Sequence, residues 1–329
     1  EKRQFTIVRR LKENGFLEIT GYIAKTDEIF VSSKGTPEGK FADMFKEIFN
    51  ESLNVGRQEE LKHIMRDLEC SFVIEVINTV RDPHMVEYDK RKIVLLDVVR
   101  RSSNYEKLPY KDVVQLGRHF GFEVAPEMLR FKDEKSFRGW YKRASKDIKK
   151  EIEGYVWQDK SGYMFKTKSP FYSFWKLMRG TKEAIFREKN YMNEIINHGD
   201  LKRLIGKINK TPDSPDFTKE TKDFVLSKLN AKKDFSRNEL NDIVTSVKDK
   251  GFISSKFKGM ISDAIPMKKM VSRQSTKSFL ETRDLDFLYE EADNFKNWCF
   301  EQTPEVLEKN IIDIRKEFFN PNLELKVKI

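Results

Sequence analysis

Apolar and polar positions alternate early in the chain. Residues 5–11, 17–24 and 28–33 follow the two-residue period of half-buried strands, separated by polar turns at 12–15 and 25–27. The period then lengthens. Phe41, Phe45, Ile48 and Phe49 fall on one face of a helix predicted over residues 41–53, and a second helix is expected over 59–68. Residues 71–77 and 93–99 are apolar, β-branched runs with polar flanks, so strands. Residues 110–120 and 134–152 read as helices. Residues 155–158 and 163–168 read as a strand pair across the turn-rich 159–162. Mixed strands and helices as far as about residue 170 predict an α+β domain.

From Phe171 onward the period is helical almost throughout. It breaks at 211–215 and 264–266, and weak strand signals return only at 323–329. Residues 191–329 therefore form an expected second, mostly helical domain. No internal repeat or low-complexity tract interrupts either part.

Composition narrows the class. With 329 residues, 38% hydrophobic content and 26 Phe, the chain can bury two cores, which excludes wholesale disorder. The net charge of +10 favours a polyanionic partner, although a lysine-rich surface also serves solubility. Two distant cysteines, Cys70 and Cys299, and four scattered His argue against a disulfide framework or a zinc site. Neither a membrane-length apolar run nor a signal peptide is seen, and a reducing, cytoplasmic compartment is expected.

Five short patterns carry the chemistry, in this order: Lys12-Glu13-Asn14-Gly15, Ser33-Lys34-Gly35, Phe72-Val73-Ile74-Glu75, Glu153-Gly154-Tyr155-Val156 and Lys166-Thr167-Lys168. Each alone is weak. Together they supply what nucleotidyl transfer through a lysine needs. An attacking lysine must be a neutral amine, so its site must lower a free pKa of about 10.4. Nearby cations do so by penalising the charged form. Strand alternation puts Lys166 and Lys168 on one face, suited to that work and to holding an α-phosphate. A strand-edge carboxylate such as Glu153 is a good hard ligand for Mg²⁺.

The set resembles the ATP-dependent RNA ligases, in particular the phage RNA ligase 1 branch and the ligase domain of fungal tRNA ligases. Arg81–Tyr88 in the run Arg81-Asp82-Pro83-His84-Met85-Val86-Glu87-Tyr88, the run 93–97 and the aromatic segment Phe171-Tyr172-Ser173-Phe174-Trp175-Lys176 extend the resemblance to roughly residues 5–180. It implies an α+β nucleotidyltransferase domain of ATP-grasp-like antiparallel sheets with flanking helices over residues 1–190. A helical C-terminal domain over 191–329 would set RNA preference.

The resemblance also implies roles. Lys12 would take AMP from ATP, with Lys166 and Lys168 as catalytic lysines on the α-phosphate. Glu13, Asn14 and Gly15 would border the nucleotide, Glu75 would contact its ribose and Glu153 would bind Mg²⁺ or Mn²⁺. Lys34 would meet ATP phosphates or the RNA end. The partner would be RNA with 5′-phosphate and 3′-hydroxyl ends, nicked tRNA for example, in a phage or microbial host, and the enzyme a monomer. Two features depart from the family pattern. Eleven residues precede Lys12 where relatives carry a substantial segment, and a fragment of a longer enzyme is one explanation. Asn14 stands where many relatives have Asp.

Other readings stay open at this level. A DNA ligase or capping-type enzyme would use the same chemistry, and a non-catalytic RNA-binding module could keep the fold. Tyr88, Trp157 and Trp175 read as core more readily than as stacking surfaces, and His84 as a turn residue. In the C-terminal part, residues 201–210 hold four basic and no acidic residues, and residues 246–279 hold eight basic against two acidic. Both are candidate phosphate-contacting surfaces, with a solvated helical face as the equal alternative.

Overall fold

In the computed structural model, residues 5–319 are described apart from 103, 105, 216, 250–253 and 266–274. The chain divides into two units. One comprises Glu1–Arg179, Thr276–Phe295 and Lys309–Ile329; the other comprises Gly180–Ser275 and Lys296–Glu308.

The first unit begins with β1 (Ile7–Lys12), β2 (Phe16–Ile23), β3 (Glu28–Ser33), α1 (Lys40–Ser52), α2 (Val55–Asp67), β4 (Cys70–Ile77) and β5 (Lys92–Arg100). It continues with α3 (Tyr110–Phe120), β6 (Glu123–Val124), β7 (Glu127–Phe131), α4 (Glu134–Ala144), β8 (Gly154–Asp159) and β9 (Met164–Lys168). Two sheets result, of order β7-β1-β8-β9 and β3-β2-β4-β5-β6. Every pairing is antiparallel except β5 with β6. The α+β class expected from the pattern is the one observed.

Period explains the packing. On the five-stranded sheet Phe16, Phe72, Ile74, Val76 and Val31 share one face and pack with Phe45, Ile48, Phe49, Leu61 and Phe120 of the helices. Burying one such side chain contributes about 1.5–3 kcal/mol. Asn54 caps α2 by accepting from Arg57 N. On the four-stranded sheet the core is aromatic: Trp157 is fully buried, with Phe131, Phe137, Trp140 and Phe165 rings 5.1–6.2 Å away.

One local expectation changes, and two features lie beyond the pattern. The turn at Lys12–Gly15 carries the chain from one sheet to the other, because β1 and β2 belong to different sheets. The helix expected over 134–152 ends at Ala144; beyond it only Ile148 and Ile152 remain to form an apolar face. β6 and β7 escape the pattern because they are short and flank Pro126, which cannot donate to a ladder.

The helix α5 (Pro170–Asn193) follows β9. Then come α6 (His198–Lys210), α7 (Lys219–Leu229), α8 (Arg237–Asp249), α9 (Ser254–Ala264), α10 (Thr276–Glu281), α11 (Tyr289–Glu301), α12 (Pro304–Glu308) and α13 (Ile311–Phe318). The helical period and its breaks near 211–215 and 264 are thus seen; the strand signal at 323–329 lies outside the described residues. In the second unit Leu204, Ile208, Val225, Phe217 and Phe257 form a core of their own. Both cysteines are buried free thiols. Among the described residues no helix is long and apolar enough to cross a membrane.

Candidate active site

Register fixes which side chains meet. Lys12 pairs with Gly154 and Gly154 with Lys168, so the two lysines flank β8 on one face. Two residues along, on the same face, Arg10, Val156 and Lys166 lie side by side. Glu75 of β4 lies opposite Leu17, on the face away from the five-stranded sheet's core. The two surfaces approach each other. Lys107, ion-paired to Asp97 of β5, lies 3.0 Å from Met164 Sδ of β9, and the Arg10 guanidinium stands 4.6 Å over the Tyr110 ring.

Lys12, Asn14, Glu153 and Lys168 converge in this cleft. Lys12 Nζ is 3.1 Å from Glu153 Oε1, which also pairs with Lys168. Asn14 Nδ2 donates to Glu153 Oε2 at 3.0 Å, and Gly15 N donates to Glu75 Oε1 at 2.9 Å. Each carboxylate therefore ties the lysine-bearing turn to a different strand. Gly15 is required by contact rather than by torsion: a Cβ there would lie 2.1 Å from Val76 O. Gly154 has φ +148°, and a Cβ would lie 2.0 Å from Thr167 O, so β8 and β9 pair closely only with glycine there.

The remaining candidates divide. Glu13 accepts from the Tyr88 hydroxyl at 2.8 Å, and that same oxygen accepts from Asn14 N at 2.8 Å. Lys166 is exposed on the Lys168 face, without an ion pair among the described residues. Lys34 is exposed just past the end of β3 and makes no described contact with the cluster. His84 pairs with Asp82 at 2.7 Å, and Trp157 and Trp175 are core residues.

Two contributors were not among the expected site residues. Tyr88 packs against the Ile77, Val94 and Ala125 core, as expected, and its hydroxyl also bonds both Glu13 and Asn14. Arg315 of α13 is buried and donates to Met85 O at 3.3 Å and to Glu151 at 3.0 Å. It joins the segment whose Val86 N donates to Asn14 Oδ1 (3.1 Å) to the segment entering β8. A contact across 230 residues leaves no local pattern.

Burial shifts Lys12 toward the neutral amine. Burial lowers its pKa, while the Glu75 and Glu13 carboxylates act the other way. Burial, not a neighbouring cation, is thus the leading cause. Lys168 is pushed down to about 8, by burial first and then by the Lys12 and Lys176 cations. Its ammonium also lies 4.3 Å from the Tyr172 ring centroid. Burial raises the Glu75 carboxyl, against Lys12 and the Gly15 N–H.

Glu153 presents a hard oxygen donor suited to Mg²⁺ or Mn²⁺. Among the described residues no group of three or more His, Cys, Asp or Glu could hold a metal ion by itself. A divalent ion here fits as one that keeps waters and phosphate oxygens as its other ligands.

Residues 1–172 match a family model described as RNA ligase. No curated protein sequence matches the chain. Among solved structures it is similar to an archaeal ATP-dependent RNA ligase in two forms. Form 1 is 14% identical with TM-score 0.42, covering 75% of this chain and 61% of that one. Form 2 is 12% identical with TM-score 0.43, covering 88% and 77%. A Naegleria gruberi RNA ligase with pyrophosphate is 14% identical with TM-score 0.38, covering 51% and 50%. The chain thus spans 61% of the archaeal form 1 chain and half of the Naegleria chain.

Proposed function

The chain belongs to the RNA ligase family, and from that premise we propose that it joins RNA 5′-phosphate and 3′-hydroxyl ends with ATP through a lysyl-AMP intermediate. The observation that carries the reading is the convergence of Lys12 and Lys168 on Glu153, with Asn14 holding the other carboxylate oxygen.

Lys12 Nζ, as the free amine, attacks the α-phosphorus of ATP; pyrophosphate leaves, and the amine proton passes to solvent. Lys168, with Lys166 beside it on β9, holds α-phosphate oxygens and offsets charge in the transition state. Glu75 contacts the ribose, and the Glu13–Gly15 turn borders the nucleotide. A divalent ion at Glu153, when bound, supplies charge neutralisation on the phosphates. An oxygen of the RNA 5′-phosphate then attacks the AMP phosphorus and releases Lys12. A 3′-hydroxyl finally attacks the RNA 5′-phosphorus and AMP leaves.

Adenylyl transfer is assigned to residues 1–190 and RNA engagement to the helical 191–329. Lys202, Arg203, Lys207 and Lys210 of α6 are candidate phosphate contacts; in the other basic run, 246–279, residues 250–253 and 266–274 lie outside the described residues. Nicked tRNA is the favoured substrate, and the enzyme acts as a cytoplasmic monomer. The test is joining of a 5′-phosphorylated RNA strand with ATP or GTP. ATP-dependent ligation abolished by Lys12→Ala is expected. Nucleotide-independent joining, or a preference for GTP, would overturn the reading.

A further inference from the structure

The face of β9 turned away from the candidate active site borders a second recess. A cavity of about 180 Å³ opens between α4, the segment after it and the ends of β8 and β9. Trp140, Tyr141 and Tyr155 supply ring faces, and Arg143 and Lys150 supply two cations against the single carboxylate of Asp147, with Lys168 at the edge. Lys168 also pairs with Glu153, so this recess adjoins the candidate active site.

A buried cation backs the rings. Arg9 is only 7% exposed, and its guanidinium carbon lies 4.5 Å from the Trp140 ring and 4.7 Å from that of Tyr155. Among the described residues Arg9 makes no ion pair, and its Nε has no hydrogen-bond partner. A guanidinium buried without a counter-charge is costly, and an anion nearby would offset part of that cost. Lys150 Nζ stands 5.3 Å from the Tyr155 ring. Ring faces interleaved with cations are what single-stranded nucleic acid uses, a base stacking while its phosphate meets the charge.

Resting on the ligase reading, we propose that this recess is a nucleotide-binding subsite for the single-stranded RNA substrate. It seats one base on Trp140 and Tyr141, with the adjoining phosphate on Arg143 and Lys150. A strand leaving the candidate active site past the end of β9 is thereby anchored close to the reacting end.

The test uses the full chain and a labelled 5′-phosphorylated oligouridylate, read by fluorescence anisotropy. Arg143, Lys150 and Tyr141 are exposed, so their variants keep the fold. R143A/K150A and Tyr141→Ala should each weaken RNA binding about tenfold, with lysyl-AMP formation at the wild-type rate. A control, K25A/K90A, removes the same charge at exposed positions elsewhere in the first unit. RNA affinity within twofold of wild type in the recess variants, or an equal loss in the control, would overturn the proposal. So would a wild type that forms lysyl-AMP yet binds no RNA. A wild type that binds RNA through the recess but forms no lysyl-AMP strikes the ligase reading and leaves the subsite standing.

Discussion

Lys12 Nζ and Glu153 Oε1 lie 3.1 Å apart across the β1–β8 ladder, with Lys168 on the same oxygen from the far side of β8. A single carboxylate thus organises both cations of the candidate active site. Glu153→Gln keeps an acceptor for Asn14 but removes the charge. Single-turnover lysyl-AMP formation is expected to fall about 100-fold or more. An unchanged rate in a folded variant would contradict the role.

The burial of Lys12 predicts a pH profile. Its pKa lies below the ordinary 10.5, so the reactive neutral amine gains population as pH rises toward a midpoint lower than that value. The rate should climb with a one-proton slope along this limb, and loss of the Lys168 charge near pH 8 should oppose the climb. Glu75 acts to raise this pKa, so Glu75→Gln should move the rising limb to still lower pH, whatever it does to the plateau. Single-turnover rates between pH 6 and 10 check both points, and a limb shifted upward would contradict them.

Gly15→Ala tests the close approach at the turn. The added Cβ would lie 2.1 Å from Val76 O, a backbone atom that cannot swing aside. A loss of about 1–3 kcal/mol is expected, together with poor lysyl-AMP formation, because the turn also fixes Asn14. Chemical denaturation and intact mass report the two effects separately; wild-type stability would refute the packing argument.

Glu18 is fully buried on the core face of β2, and neither carboxylate oxygen has a hydrogen-bond partner among the described residues. Burial raises its pKa to about 7 from 4.5. Below pH 4.5 the group is neutral in both folded and unfolded chains. Between 4.5 and 7 the unfolded chain ionises first, so Glu18 increasingly disfavours folding, and above 7 the penalty is complete. Glu18→Leu should stabilise the protein by about 1–3 kcal/mol at pH 8 and by much less at pH 4.5. Equal gains at both pH values would refute the titration argument.

The sequence made much of this legible, and the failures have physical causes. Phe45, Ile48 and Phe49 announce α1 because one face of it must be buried, and the apolar, β-branched run along 71–77 announces β4. The shared face of Lys166 and Lys168 follows from strand alternation alone. What alternation cannot tell is which sheet a strand joins, so the turn at 12–15 does not reveal that β1 and β2 part there. Tyr88 and Arg315 were opaque for a related reason. Their partners Asn14 and Met85 lie 74 and 230 residues away, and only tertiary packing brings them together.

The central claim is covalent chemistry at Lys12, and intact-mass spectrometry after incubation with ATP and Mg²⁺ tests it most directly. The wild type, purified free of bound AMP, should gain one adenylyl group of about 329 Da, and Lys12→Ala should gain none. A folded wild type without the adduct, or an adduct that persists in Lys12→Ala, would contradict the account.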